Sequence, residues 1–207
     1  MPGRPPPGRA GRVWLADRVE VARRAVELLD HKQQLLRREQ RRLAALAERT
    51  GRDWEVLATE AESWCARAMV AGGRDDLRRT APRVGAAQAE LTWTTQAGVT
   101  YPATASTQLP PPPPLGGNVA LADAGGACRR AVDAAVRQAA ASAALAKVAA
   151  ELAATTHRLR AIRDRWLPGL QLQLGALDLH LDESEREEIT RLRWTQERRP
   201  TPSEDPS

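Results

Sequence analysis

Large aromatic side chains are scarce in this sequence. Its 207 residues include six Trp, one Tyr and no Phe, so aromatics make up only 3% of the chain. A compact core of this size normally draws on more large apolar residues than that. An elongated helical protein needs fewer, because each helix buries only one stripe of its surface. The scarcity therefore favours long helices over a globule.

Cysteines and long apolar runs are also few. Cys65 and Cys128 are the only cysteines, too few for a disulfide framework, and neither has a Cys or His neighbour at metal-ligand spacing. We therefore expect two reduced thiols in a cytoplasmic protein, with no metal and no cofactor. No apolar run approaches the 18 residues or so of a membrane span. Residues 1–11 lack the apolar core of a signal peptide and are expected to be a disordered lead.

Catalytic motifs are missing as well. The sequence contains neither GxxxxGK[ST] nor a GxGxxG after a predicted strand, so no phosphate-binding loop is expected. Its three histidines, His31, His157 and His180, are far apart along the chain. No nucleophile and base are predicted to meet, and we expect a protein that is not an enzyme and has no catalytic residue.

The net charge of +5 comes from 31 basic and 26 acidic residues that are interleaved. A block of basic residues would indicate nucleic-acid binding. The arginine pairs at 23–24, 37–38 and 41–42 are instead spread along a predicted helix. Mixed charge of this kind is typical of the exposed faces of long helices, so no nucleic-acid partner is expected.

Proline and glycine divide the chain into five parts. After the lead, residues 12–71 and 127–199 contain one internal proline, Pro168, and are predicted to be long helices. Residues 72–126 between them form a Pro- and Gly-rich insert, and 200–207 a disordered tail. Pro168 removes a backbone donor and is expected to kink the second helix without ending it.

The first helical segment carries a sustained heptad pattern, which indicates a coiled coil about 90 Å long. Its apolar positions are Leu15, Val19, Ala22, Val26, Leu29, Leu36, Leu43, Ala47, Trp54, Leu57, Ala61, Trp64 and Ala68. The second segment is alanine-rich at first. It then continues with a larger stripe of Leu159, Ile162, Trp166, Leu170, Leu174, Leu177, Leu181 and Leu192.

Two helices of matching length predict an all-α fold, a long antiparallel two-helix coiled coil. Both chain ends would lie at one end of this coiled coil and the insert at the other. If Ala71 lies opposite Cys128, then Trp54 faces the neighbourhood of Leu145. A large residue would then meet small ones across the interface, as close packing requires.

The insert is predicted to contain a short β-hairpin near residues 89–101. Strand-forming residues flank Gln96-Ala97-Gly98, a plausible turn, and would place Leu91, Trp93 and Thr95 on one face. A two-stranded hairpin is only marginally stable alone, so it must rest against the helices or a partner. The proline run 110–114 is expected to be a stiff connector, and an SH3-type ligand is the alternative.

Two motifs near the C-terminus carry a family resemblance. LDESEREEITRLR, at 181–193, resembles the C-terminal signature of the D subunit of V-type and archaeal-type rotary ATPases. THRLRAIRDRWLPGL, at 156–170, is similar to the preceding segment of that family, with Arg160 in place of Asn and Arg163 in place of Glu. The opening helix matches at Arg12, Lys32 and several leucines. The two C-terminal motifs follow each other in the same order as in the family, and Pro168 lies within the first of them.

The resemblance implies a non-catalytic rotor shaft at the cytoplasmic face of a membrane, held there only through its complex. The implied partners are the catalytic hexamer of A and B subunits, the F subunit, and a socket subunit called C or d. The rival interpretation is a coiled-coil scaffold or adaptor without a motor role. The candidate rotor-contact residues are Arg12, Lys32, Arg158, Pro168, Glu183, Glu185, Arg186, Glu187 and Arg191.

Overall fold

The structure, a computed structural model, describes residues 6–80, 86–112 and 119–197. The expected tail at 200–207, the first five residues of the expected lead and the end of the proline run at 113–114 lie outside the described residues. Three helices and one hairpin follow in the order α1 (Gly8–Thr80), β1 (Gln88–Gln96), β2 (Val99–Gln108), α2 (Val119–Ala161) and α3 (Leu167–Glu197). This arrangement confirms the predicted fold class, two long helical segments around a small hairpin.

Helix α1 contains one break in its backbone geometry. Gly73 has φ 70° and ψ −178°, a conformation in which a Cβ would be strained but which glycine adopts readily. Helical structure resumes beyond it and ends at Thr80, where Arg79 pairs with Asp76. Helix α2 likewise contains Gly125 and Gly126, so both helices include glycines that the sequence pattern assigns to the insert.

The predicted heptad stripe of α1 is the face that the helix buries. Leu15, Leu36 and Leu43 are about 1% exposed, and the other stripe positions are buried or half-buried with the exception of Trp54. Polar residues at stripe positions follow the same pattern, since Gln33 is buried as well. The 3–4 spacing therefore predicts the packed face correctly along α1.

The described residues fall into two compact units. Unit 2 comprises His31–Thr155 and pairs α1 with α2 in antiparallel fashion. Thr50 Oγ1 donates to Gln138 Oε1 at 2.5 Å, and Lys32 Nζ lies 2.6 Å from Glu151 Oε1. Farther along, the two cysteines, Cys65 and Cys128, face each other.

The predicted register of this pairing is wrong. Cys65, not Ala71, lies opposite Cys128, a displacement of about 1.7 helical turns. Trp54 is exposed, and Leu145 packs instead beside the cluster that contains Leu36 and Leu43. Alanine-rich stripes explain the error, because a seam of similar small residues gives little size contrast with which to choose a register.

Unit 1 comprises Met1–Asp30 and Thr156–Ser207 and pairs the start of α1 with the end of α2 and with α3. Its core consists of buried Leu15, Val19, Ala22 and Leu170, with Trp14 and Trp166 packed against them. The Arg18 guanidinium carbon lies 5.0 Å from the Trp14 ring centroid and 5.5 Å from that of Trp166. Aromatic stacking on Arg18 thus covers this part of the seam.

A π-helical turn, Ile162–Trp166, joins α2 to α3 within unit 1. The Leu167 N–H bonds to the Ile162 carbonyl, five residues back. Pro168 follows directly and cannot donate to the carbonyl four residues before it. A wider turn accommodates the proline ring, so the predicted irregularity at Pro168 takes the form of a π turn and helical structure resumes beyond it.

The hairpin has a two-residue turn and lies along unit 2. Ala97 and Gly98 both have positive φ, 50° and 78°, as a type I′ turn requires. Gln96 pairs with Val99 at the turn, and the ladder is shifted once, between Thr92 and Trp93. A Cβ on Gly98 would lie 4.0 Å from Lys32 Nζ, so the turn reaches α1 near Lys32.

The hairpin rests against the helices, as expected, but not at the end that carries the insert. Val99 and Tyr101 of β2 join Leu36, Leu43, Ala144 and Val148 in one buried cluster. The hairpin is therefore folded back beside the helices, instead of lying beyond the end that carries the insert. The face that carries Leu91, Trp93 and Thr95 is exposed, because β2 and not β1 carries the residues that fill the groove between α1 and α2.

Replacing Leu43 by alanine tests this shared cluster. Leu43 is 1% exposed and contacts residues of both helices and the hairpin, so Leu43→Ala should lower the free energy of unfolding by about 2–5 kcal/mol. Leu28 is 72% exposed, and Leu28→Ala should cost less than about 0.5 kcal/mol. Urea unfolding followed by circular dichroism measures both, and equal losses would contradict the assignment of Leu43 to the core.

Candidate partner-binding surfaces

The C-terminal part of α3 is an exposed helix surface. Arg9 Nη2 pairs with Glu185 Oε1 at 2.7 Å, one residue after α1 begins at Gly8. Residues 186–196 follow this pair and are all exposed. We call residues 186–196 the α3 end.

The α3 end combines apolar and charged side chains. Ile189, Leu192 and Trp194 are 52%, 56% and 58% exposed. A shallow depression on the same helix is lined by Glu183, Arg186, Glu187, Thr190, Arg191 and Trp194. Burying large apolar groups contributes about 25 cal/mol per Å². Such a surface is suited to binding a protein partner with both apolar and charged groups.

Four of the predicted contact residues, Glu183, Arg186, Glu187 and Arg191, therefore lie together around this depression. The others are dispersed. Arg12 pairs with Asp178 in unit 1 at 2.7 Å, and Glu185 is the partner of Arg9.

The remaining three predicted residues do not join that surface. Lys32 pairs with Glu151 inside unit 2. Arg158 is exposed near the end of α2, and Pro168 is exposed just after the π turn. The structure thus does not bring the nine predicted residues to one site.

A second surface is formed where the hairpin meets α1. Tyr101, fully buried, donates its hydroxyl to Glu39 Oε1 at 2.6 Å. Arg42 donates to the same carboxylate, with Nη2 at 2.6 Å from Oε1 and Nε at 3.1 Å from Oε2. Glu39 is itself buried, so this network anchors β2 to α1 by charge-assisted hydrogen bonds.

The network shifts the titration of its members. Hydrogen bonds from Arg42, and next from Tyr101, lower the pKa of Glu39 below its ordinary value despite its burial. Burial first, and the bond to Glu39 second, raise the pKa of Tyr101. The contact with Glu39 raises the pKa of Arg42. Glu39 is therefore ionised and Tyr101 neutral across the physiological range.

The outer strand of the hairpin is exposed to solvent. Leu91 and Trp93 are both largely accessible, and Lys147 Nζ lies 4.9 Å from the centroid of the Trp93 ring. This cation–π contact links β1 to α2. It leaves most of the indole available as a contact for a partner.

Sequence reasoning missed Glu39, Arg42 and Tyr101. Two signals were present: Glu39 falls between Leu36 and Leu43 on the flank of the apolar stripe, and Tyr101 is the only tyrosine. Neither signal indicates that the two residues meet, because 62 positions separate them in the sequence.

The described residues offer neither a metal-binding group nor a membrane span. Within 6–80, 86–112 and 119–197, no three His, Cys, Asp or Glu side chains are grouped so that they could hold a metal ion. In those same ranges no helix has the length and apolar character needed to cross a bilayer.

Comparison with known families decides the assignment. The family model for the D subunit of ATP synthase matches residues 14–197. The chain belongs to the ATP synthase D subunit family. The match runs from the first turns of α1 through the hairpin to the last residue of α3 and confirms the resemblance to the D subunit of V-type and archaeal-type ATPases. No match was found among curated proteins.

Membership gives a general role. The D subunit is a structural component of a membrane-associated rotary ATPase complex. In this member of the family, the α3 end and the outer face of the hairpin both carry exposed apolar side chains. They lie in different units, the α3 end in unit 1 and the hairpin in unit 2.

Removing the Tyr101 hydroxyl tests the anchor of the hairpin. Tyr101→Phe leaves a buried carboxylate with one donor fewer, so unfolding free energy at pH 7 should fall by about 1–3 kcal/mol. Thr95→Val removes an exposed hydroxyl that contacts Thr100 at 2.9 Å and should change stability by less than about 0.5 kcal/mol. Chemical denaturation of both variants measures the difference.

The same substitution has a pH signature. Because the folded-state pKa of Glu39 is lowered, its contribution is present above the unfolded pKa, about 4.3, and is lost as pH falls through the folded value. Tyr101→Phe removes one of the hydrogen bonds that lower the pKa of Glu39, so the variant should lose less stability than the wild type on acidification. At alkaline pH the wild type alone should lose the contribution of neutral Tyr101, above about pH 10. Parallel pH profiles for the two proteins would contradict this network.

Proposed function

We propose that this chain is the central rotor shaft of a V- or A-type ATPase. It would transmit torque between the ATP-processing hexamer of A and B subunits and the ion-translocating rotor in the membrane. The F subunit would bind along the shaft, and the socket subunit, called C or d, would connect it to the membrane rotor. The chain would then be a peripheral protein at the cytoplasmic face and carry out no ATP chemistry itself.

The α3 end is the observation that most supports this role. Ile189, Leu192 and Trp194 are exposed to water on this helix. A partner that covers these side chains removes apolar surface from water, which stabilises the complex. The neighbouring charges can pair with a partner that has mixed charge. A shaft inserted in a hexamer needs such a surface, and we assign the hexamer contact to the α3 end of unit 1.

The build of each unit is a second support. Each pairs two antiparallel helical segments along a narrow apolar seam and carries ion pairs on its outer faces, such as Arg12–Asp178 in unit 1 and Glu60–Arg130 in unit 2. Exposed pairs contribute little to stability, but they keep the outer face hydrophilic. A part that turns against its neighbours needs faces that do not adhere to them.

The hairpin offers a further contact. Its inner strand is fixed by Tyr101 and Val99, whereas the outer strand presents Leu91 and Trp93. A rigidly held strand with exposed apolar residues can bind a partner without ordering cost. We assign this face to a stalk partner, either the F subunit or the socket subunit, and the α3 end to the hexamer.

A double substitution tests the assignment of the α3 end. Ile189→Ser with Leu192→Ser removes two exposed side chains, so helicity and thermal melting should be nearly unchanged. If the hexamer buries the exposed half of each, the two together contribute about 1.5–3 kcal/mol, and affinity for the hexamer should weaken about tenfold or more. Hydrolysis and ion pumping are recorded together in vesicles that contain the reconstituted complex, where pumping per ATP should fall.

The matched control is Val56→Ser with Val70→Ser, which removes two exposed apolar side chains from α1. It should leave hexamer affinity and pumping per ATP unchanged. Equal losses in both variants, or full coupling in the α3 variant, would rule out the α3 end as the hexamer contact. A non-motor scaffold predicts that the wild-type chain does not bind the hexamer at all.

A further inference from the structure

The two cysteines of the chain meet across the seam of unit 2. Cys65 on α1 and Cys128 on α2 are free thiols, each half-buried, with their sulfur atoms 3.5 Å apart. They are 63 positions apart in the sequence, so the contact is a product of the fold. The proposed shaft function does not use either thiol.

The surrounding seam brings the two helices close together. Ala61 and Ala68 flank Cys65 on α1, and Ala124 and Ala127 lie beside Cys128 on α2; all four are buried. Alanine at these four seam positions allows close backbone approach. The short sulfur–sulfur distance is therefore supported by the packing on both sides of the pair.

We infer that Cys65 and Cys128 form a reversible intrachain disulfide when the protein meets a small-molecule disulfide of the glutathione type. A disulfide bond is about 2.05 Å long, so the sulfur atoms must move about 1.5 Å closer than the 3.5 Å at which they stand. Rotation of the two side chains about χ1, with a small backbone adjustment, can supply that movement.

The chemistry balances with that oxidant. The Cys65 thiolate attacks one sulfur of the small disulfide, forms a mixed disulfide and expels the first small thiolate, which takes up a proton. The Cys128 thiolate then attacks Cys65 Sγ, forms the intrachain bond and expels the second small thiolate. The protein loses two protons and two electrons, and the small disulfide takes them up to become two thiols.

The second step should govern the rate. Burial above all, and then the contact with Cys65, raise the pKa of Cys128 to about 11. Its thiolate is scarce at neutral pH and increases about tenfold for each pH unit below that value. Ring closure should therefore accelerate as pH rises from 7 to 9, while excess small thiol reverses it.

This inference does not depend on the proposed function. The bond would tie α1 to α2 across the loop that contains the hairpin, and so restrict the unfolded chain. It would hold whether the chain is a shaft or a scaffold, since it rests only on the pairing of the two helices within unit 2. Failure of the disulfide would leave the assignment of the α3 end untouched.

The test uses the full-length chain in buffers of stepped oxidised-to-reduced glutathione ratio. Reactions are quenched with acid, remaining thiols are blocked with a maleimide, and intact mass and non-reducing peptide maps are recorded. The wild type should convert to a monomer that is lighter by two hydrogen atoms, with the peptides of Cys65 and Cys128 joined. The melting temperature of that species should exceed that of the reduced protein by about 8–15 °C.

A composition-matched control isolates the geometry. Cys65→Ser with Ser63→Cys moves the thiol by two residues, about 200° around the helix, to an exposed position. This variant should end with glutathione adducts and no intrachain bond. The inference is overturned if the wild type also ends in adducts, dimers or unreacted thiols. It is equally overturned if the control closes the bond as readily as the wild type.

Discussion

The structure depends on one constraint: two paired helices can bury only the line along which they touch. Every apolar residue that stabilises a unit must therefore lie in the interface between the helices or be packed against it by another element. In unit 1 the line is filled by Leu15, Val19 and Leu170, with aromatic rings and Arg18 alongside. In unit 2 much of it is alanine, which permits close approach but buries little surface per residue.

The hairpin relieves this shortage in unit 2. Tyr101 and Val99 add two larger side chains to the groove that Leu36, Leu43 and Val148 leave between the helices. The bond from Tyr101 to Glu39 fixes the position of β2. In return, a hairpin that is marginal alone gains a packed face and leaves its other strand free to bind a partner. The position of this exposed strand thus follows from the need to complete a thin core.

Whether a feature could be predicted from the sequence depends on how far apart in the sequence its interacting residues lie. The helices and the stripe of α1 follow from local 3–4 periodicity, and the turn at Ala97-Gly98 follows from turn chemistry in two residues. The contact of the hairpin with α1 and the register of α1 against α2 could not be predicted in this way. They depend on the pairs Tyr101–Glu39 and Cys65–Cys128, whose members are far apart in the sequence and give no local signal. Of the predicted contact residues, Glu183, Arg186, Glu187 and Arg191 share a face because they are spaced along a single helix. Arg12 pairs with Asp178 within unit 1, and Lys32 pairs with Glu151 within unit 2. No rule of sequence spacing indicates either partner.

The central claim is that a chain of the D subunit family with this exposed α3 end turns inside its complex. The most direct measurement attaches a bead to the exposed strand β1, immobilises the catalytic hexamer on a surface and records the bead by microscopy while ATP is supplied. Our account predicts unidirectional, stepwise rotation of the bead that stops when ATP is exhausted. A bead that stays fixed while the hexamer continues to hydrolyse ATP would contradict it.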